Sequence, residues 1–221
     1  MDFYRNNWYK LTFVVFVFLS FFMGFWGVYM LTPLQQILMF SFMALLIHQF
    51  EEYVLPGGGP VVINKANFGE KIKFRNYPGN MQSSMIVNNL AYVFYIAAII
   101  WPQLIWLGLA TMVFNLFQLL GHGLKMNRAL KTWYNPGLAS VVFLFVPISI
   151  YYITYVINNN LVNGWDWFLG IITFILALII TTILPVQIFK DKNSPYAIPE
   201  HQVNCCDKVQ AFASLERRKN K

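Results

Sequence analysis

Apolar runs long enough to cross about 30 Å of hydrocarbon occur six times in the 221 residues, at 11–31, 33–53, 84–100, 101–124, 137–157 and 165–189. Thr32-Pro33 divides the first from the second and Trp101-Pro102 the third from the fourth, so both pairs are predicted as tight hairpins. Asn158-Asn159-Asn160 through Gly164 breaks the fifth from the sixth. The first run has no small-residue cleavage site behind it and reads as a retained helix. The predicted fold is all-α, a polytopic membrane protein built as a six-transmembrane-helix bundle. Residues 1–189 form its membrane domain, with a loop at 54–83, and residues 190–221 form a basic tail.

Charge orients this bundle. Only 11% of residues are charged, against about 25% in soluble domains, and the net charge is +7. The sixteen Lys and Arg residues fall in four places. They precede the first run, separate the second from the third and the fourth from the fifth, and follow the sixth. The other three connections hold none. Basic residues confined to alternate gaps fit a membrane protein with both termini and both basic loops in the cytoplasm. They do not form the continuous patch that nucleic acid requires, so the expected partners are the lipid bilayer and a hydrophobic or lipid substrate, with no nucleic acid. Arg217-Arg218-Lys219 at the tail's end is expected to be attracted to anionic lipid. Cys205 and Cys206 are adjacent in the tail, consistent with a reduced compartment or with reversible palmitoylation.

Ionisable groups within spans are costly and so need a reason. The second run ends in His48-Gln49-Phe50-Glu51-Glu52, where spacings of three and four share a helical face with Ser41 and Ala44. The fourth carries Thr111, Asn115, Gln118 and His122 as one seam, and the third carries Asn88 or Asn89 about one turn in. Because alternate helices run in opposite directions, these groups meet at one cytoplasmic level, which Tyr134-Asn135-Pro136-Gly137 also reaches. Two histidines and a carboxylate suit a divalent metal ion, zinc or iron. The expected ligands are His48, Glu51 and His122, with Glu52 as general base. Asn88, Asn89, Asn115 and Gln118 are expected to orient substrate. Against this stand a simple ion pair at the helix end and an interfacial His122 flanked by glycines. His201 reads as solvated. Pro56-Gly57-Gly58-Gly59-Pro60 reads as a turn with no helix start behind it, or as the hinge of a loop that caps the site.

His48-Gln49-Phe50-Glu51-Glu52 resembles the signature of the HXXEE-motif family of prokaryotic integral membrane proteins. Asn115 through Gly121-His122 and Tyr134-Asn135-Pro136-Gly137 are similar to that family's second polar segment. The resemblance covers about residues 35–190 and implies a membrane-embedded polar site in a bacterial cytoplasmic membrane, with no substrate attached. A looser likeness, to CAAX-type intramembrane proteases, rests on Glu51-Glu52 at a helix end with a later histidine. It lacks the arginine expected after the pair, where Tyr53-Val54-Leu55-Pro56 stands. That likeness contributes only the idea of glutamate-activated water.

The function expected from these residues is a metal-dependent, hydrolase-like enzyme with its site at the cytoplasmic leaflet. Two rivals stand beside it: a proton- or ion-coupled transporter using Glu51 or Glu52, and a non-catalytic assembly protein whose polar seam holds helices together.

Overall fold

In the computed structural model, which describes residues 1–216, eight helices follow one another. The basic triplet Arg217-Arg218-Lys219 lies outside the described residues. The helices are α1 (Asp2–Met30), α2 (Pro33–Tyr53), α3 (59–67), α4 (Met81–Ile100), α5 (Ile105–Leu130), α6 (Leu138–Asn158), α7 (Gly164–Phe189) and α8 (Glu200–Ala213). Six of them (α1, α2, α4, α5, α6 and α7) are long and apolar enough to cross a membrane. The six-helix membrane fold read from the apolar runs is therefore the fold found.

Short polar caps set the helix starts. Thr32 and Gln35 exchange side-chain and backbone hydrogen bonds ahead of α2, with Pro33 in the first turn. Asn80 with Ser83 opens α4, and Asn163 with Asp166 opens α7, in the same way. The fourth span is displaced from its expected position. Residues 101–104 are spent on a turn containing Pro102, so α5 begins at Ile105 and runs to Leu130. Within it, Leu119–Met126 widens into a π-helical stretch around His122. Such bulges recur where a side chain must be re-aimed at a site.

One end of the bundle is far more elaborately built than the other. Trp8 and Tyr9 of α1 pack on Tyr53 at the end of α2, with ring centroids 4.8 and 5.4 Å apart. All Lys and Arg residues described lie at this end, called here the basic end. The segment from Pro56 to Pro60 was expected to be a turn or hinge with no helix start behind it; instead α3 starts at Gly59. Its nine residues are too few to hold a helix by propensity. Burial holds it, since Val61 and Val62 are fully enclosed. The tail also folds back. Ile198 donates its N–H to Arg75 O (2.7 Å), Met81 donates to Tyr196 O (2.9 Å), and α8 packs on α3.

Gln202 of α8 clasps this end together. Its Nε2 donates to Tyr53 O, and its Oε1 accepts from Gly58 N, both at 2.7 Å. Gly58 has φ +95°, and a Cβ there would come within 2.6 Å of the Cys206 backbone, so no other residue fits. Cys206 is fully buried, and burial pushes its thiol up to about 11. Cys205 is half-buried and His201 is exposed.

Candidate metal centre

His48, Glu52 and His122 converge beneath this cover, and all three are buried. Glu52 Oε1 lies 3.8 Å from His48 Nε2 and 3.5 Å from His122 Nε2. One ligand atom from each falls within 4.8 Å of the other two. The imidazole planes stand nearly perpendicular, at 86°, with centroids 5.1 Å apart.

The far side of each ring is fixed by an acceptor. His48 Nδ1 faces Gly137 O at 3.2 Å and Ser140 Oγ at 3.0 Å. A carbonyl oxygen can only accept, so the proton of the neutral ring sits on Nδ1. His122 Nδ1 faces Asn135 Oδ1 at 2.7 Å. The orientation of that amide follows from its other end, where Nδ2 donates to His122 O (2.8 Å) and Asn127 Oδ1 (2.7 Å). In both rings the Nε2 lone pair is therefore turned toward Glu52. Metal-bound histidines are held in this way, with the remote N–H on a carbonyl or amide oxygen.

Gly137 shapes the pair from below. At φ +100° it adopts a backbone conformation that L side chains avoid, and a Cβ would meet His122 Cε1 at 2.5 Å and His48 Cε1 at 2.8 Å. The two rings are thus seated on bare backbone.

Glu51 stands apart from this group. About 100° of turn per residue puts Glu52 about 40° to one side of His48 and Glu51 about 60° to the other. Glu51 consequently faces the start of α6. Its Oε1 accepts from Ala139 N (3.0 Å) and the Tyr134 hydroxyl (2.8 Å); its Oε2 accepts from Ser140 N (2.7 Å) and Ser140 Oγ (2.6 Å). A carboxylate at a helix N-terminus satisfies N–H groups that have no partner within the helix. Burial, and then the Glu51 carboxylate it faces, holds the Tyr134 hydroxyl above its usual range. Glu51 was expected to be a ligand and Glu52 the base; the geometry seats Glu52 with the histidines. Glu51 is linked to His48 through Ser140, a residue the sequence reading did not single out.

The four polar residues expected to orient substrate separate likewise. Asn88 lines the chamber beside the histidines, donating to the Tyr53 hydroxyl at 3.1 Å and to Ser84 O at 2.8 Å. Gln118 also lines it. Asn89 accepts from Tyr4 on the side facing α1. Asn115 donates to Ser41 Oγ (3.0 Å) and accepts from the Tyr95 hydroxyl (2.6 Å), tying α2, α4 and α5 together outside the chamber.

That chamber has a volume of about 460 Å³, in the range of small-ligand sites. Its walls come from α2, α4, α5 and α7, with residues of α3 and Gly79 closing the basic end. Gly59 packs directly on Glu52, where a Cβ would come within 2.9 Å of it. The glycine loop proposed as a lid thus lies packed against the glutamate.

No curated protein and no solved structure matches the chain. A family model described as "Protein of unknown function with HXXEE motif" matches residues 39–152. The match gives no support to the likeness to CAAX-type proteases. It runs from mid α2 to the later part of α6, and so covers His48, Glu51, Glu52, His122, Asn135 and Ser140. With just over half of its length matched, the chain belongs to the family of proteins of unknown function with an HXXEE motif.

Proposed function

We propose that the protein is a membrane-embedded, metal-dependent enzyme that hydrolyses a lipid or other hydrophobic substrate at the cytoplasmic leaflet. The observation that carries this reading is the pair of Nδ1 hydrogen bonds, which turns both Nε2 lone pairs onto Glu52 Oε1. Three acceptors brought together in a buried layer repel one another unless a metal ion or a shared proton lies among them. The edge of a tetrahedral zinc site is about 3.3 Å for ligand bonds of about 2.0–2.1 Å. The Glu52 separations of 3.5 and 3.8 Å come close to that edge. Two histidines and a glutamate are the ligand set of hydrolytic zinc sites, which puts zinc ahead of iron.

When bound, a divalent ion supplies Lewis-acid polarisation of a carbonyl or phosphoryl oxygen. The residues supply the rest. Oε1 of Glu52 faces the histidines, and Oε2 is left to accept the proton of an attacking water. Asn88 and Gln118 reach the same chamber and orient the substrate. Glu51 keeps its four hydrogen bonds and, through Ser140, steadies His48. Cytoplasmic orientation is supported by the basic residues, all of which, among the described residues, lie at this end. A carboxylate layer at one end of the bundle suits one-sided access better than alternating access, for which sites near mid-membrane are usual.

Metal analysis of the purified protein tests the centre. Wild type is expected to hold about one zinc per chain after loading, with His48→Ala and His122→Ala at background. Equal metal in all three would remove His48 and His122 as ligands.

A further inference from the structure

We infer that the chamber receives its ligand sideways from the bilayer, between α5 and α7, and that this ligand is an anionic lipid whose headgroup is met by Lys125. The inference rests on reading the chamber as the substrate space of the His–Glu–His centre.

The course of α7 creates the opening. Its first part, Gly164–Leu178, packs closely along α5, where Gly170 seats against Leu109 and the Trp106 carbonyl. Its last part, Ile179–Ile183 and Leu184–Phe189, packs instead against α4. The two helices therefore diverge toward the basic end, and the chamber lies in the fork. Phe117 and Leu120 of α5 line it while remaining exposed on the outer surface, and Leu178 and Thr182 of α7 line it half-buried. At the depth of the spans, a gap edged by these side chains faces lipid acyl chains. A chain lying between Phe117 and Leu178 would bring its headgroup to the polar layer.

The polar layer is matched to a particular headgroup. Gln118, His122 and Lys125 follow one another at spacings of four and three along one face of α5, and all three line the chamber. Lys125 also lines a second, open concavity of about 770 Å³ with Arg128 and Leu215, so it stands at the junction of the two. Nearby cations have acidic partners: Lys65 with Asp207 at 3.6 Å, Arg75 with Glu200 at 2.8 Å and Lys131 with Glu216 at 2.7 Å. Among the described residues, Lys125 and Arg128 have none, nor do outlying lysines such as Lys71, Lys73 and Lys208; of these, Lys125 is the one that lines the chamber. On the α3 side of the chamber, Asn67 Oδ1 is buried without a donor. Buried acceptors are nearly always paired, and a headgroup hydroxyl supplies the missing hydrogen. An anion toward Lys125, a hydroxyl toward Asn67 and an apolar chain in the fork together describe an anionic phospholipid with a hydroxyl-bearing headgroup.

Lipid binding to the purified full-length protein, read by native mass spectrometry with added phosphatidylglycerol or phosphatidylcholine, tests this without requiring turnover. Wild type is expected to prefer phosphatidylglycerol by at least about fivefold, the effect of roughly one basic residue at a membrane surface. Lys125→Gln should bring the preference close to one, and Thr182→Trp, which fills the fork, should weaken binding of both lipids. Lys208→Gln, on the exposed face of α8, should behave as wild type. Equal affinity of wild type for the two lipids would overturn the proposal. So would an unchanged preference in Lys125→Gln, an equal loss in Lys208→Gln, or soluble glycerol phosphate binding as tightly as the lipid. Metal content measured on the same preparations separates the two readings. Wild type without metal but with the lipid preference would sink the metal centre and leave this site standing; metal without the preference would do the reverse.

Discussion

Near the middle of the bundle, Asn115 bonds through both ends of its amide to other helices, giving hydrogens to Ser41 and accepting one from Tyr95. Seven residues further along α5, about 10 Å, His122 also has one side satisfied, by Asn135, but turns its other nitrogen toward Glu52 and His48. Both residues belong to the same polar seam and both are buried. The difference lies in the sign of what they face. Around Asn115, donors and acceptors are matched, as helix-joining polar groups in membranes are. Around Glu52, two imidazole lone pairs face one carboxyl group, a set that a metal ion or a shared proton would complete. Burial and polarity are common to both layers, so only the balance of donors and acceptors marks out a candidate site.

The contrast can be broken most forcefully at Gly137. Gly137→Ala would push a Cβ between the two imidazoles at a backbone angle that L residues avoid, and zinc affinity is expected to fall by about a hundredfold or more. Competitive chelation measures this; unchanged affinity would mean that the rings need not keep their present seats. Ser140→Ala removes the hydroxyl shared by Glu51 and His48 and should cost about tenfold in the same assay, the lower end for groups that orient ligands.

Asn115→Leu sharpens the comparison from the other layer. It should lower stability in detergent by about 1–2 kcal/mol and leave metal content at the wild-type level. Loss of metal in a folded Asn115→Leu protein would merge the two layers into one. The smallest effect concerns the tail. With its thiol held up to about 11 against an ordinary value near 8.5, folded Cys206 keeps its proton when the unfolded group has lost it. Docking of α8 should therefore weaken as pH rises from about 9 toward 11. Alkylation followed by mass spectrometry should find Cys205 modified at pH 8 and Cys206 only at the alkaline end.

The spans were legible in the sequence because lipid demands long apolar runs, and Thr32-Pro33 and Trp101-Pro102 punctuate them. The level of the site was legible too, since His48, Asn88 and His122 lie a similar number of residues from their helix ends. Which glutamate joins the histidines was not. Glu51 and Glu52 flank His48 on the helix almost symmetrically, and the start of α6, which comes 85 residues after Tyr53, is what captures Glu51. Asn115 and His122 share one periodicity, so spacing could not tell a fastening from a ligand. The helices α3 and α8 escaped notice for another reason. Glycine and proline open the first, the second reads as a polar tail, and both are held by partners distant in sequence, such as Gln202 on Tyr53 and Gly58.

That last clasp bears on how the molecule is made. Synthesis runs from the N-terminus, and the early part of a chain begins to fold before the end is available. His48, Glu52 and His122 therefore enter the membrane well before Gln202 and Cys206 leave the ribosome. Until α8 arrives, Gly58 lacks the side chain that receives its N–H and the backbone against which it rests. The six spans can assemble first, but the loop beneath Glu52 acquires its final support only once the segment carrying Gln202 and Cys206 has been made.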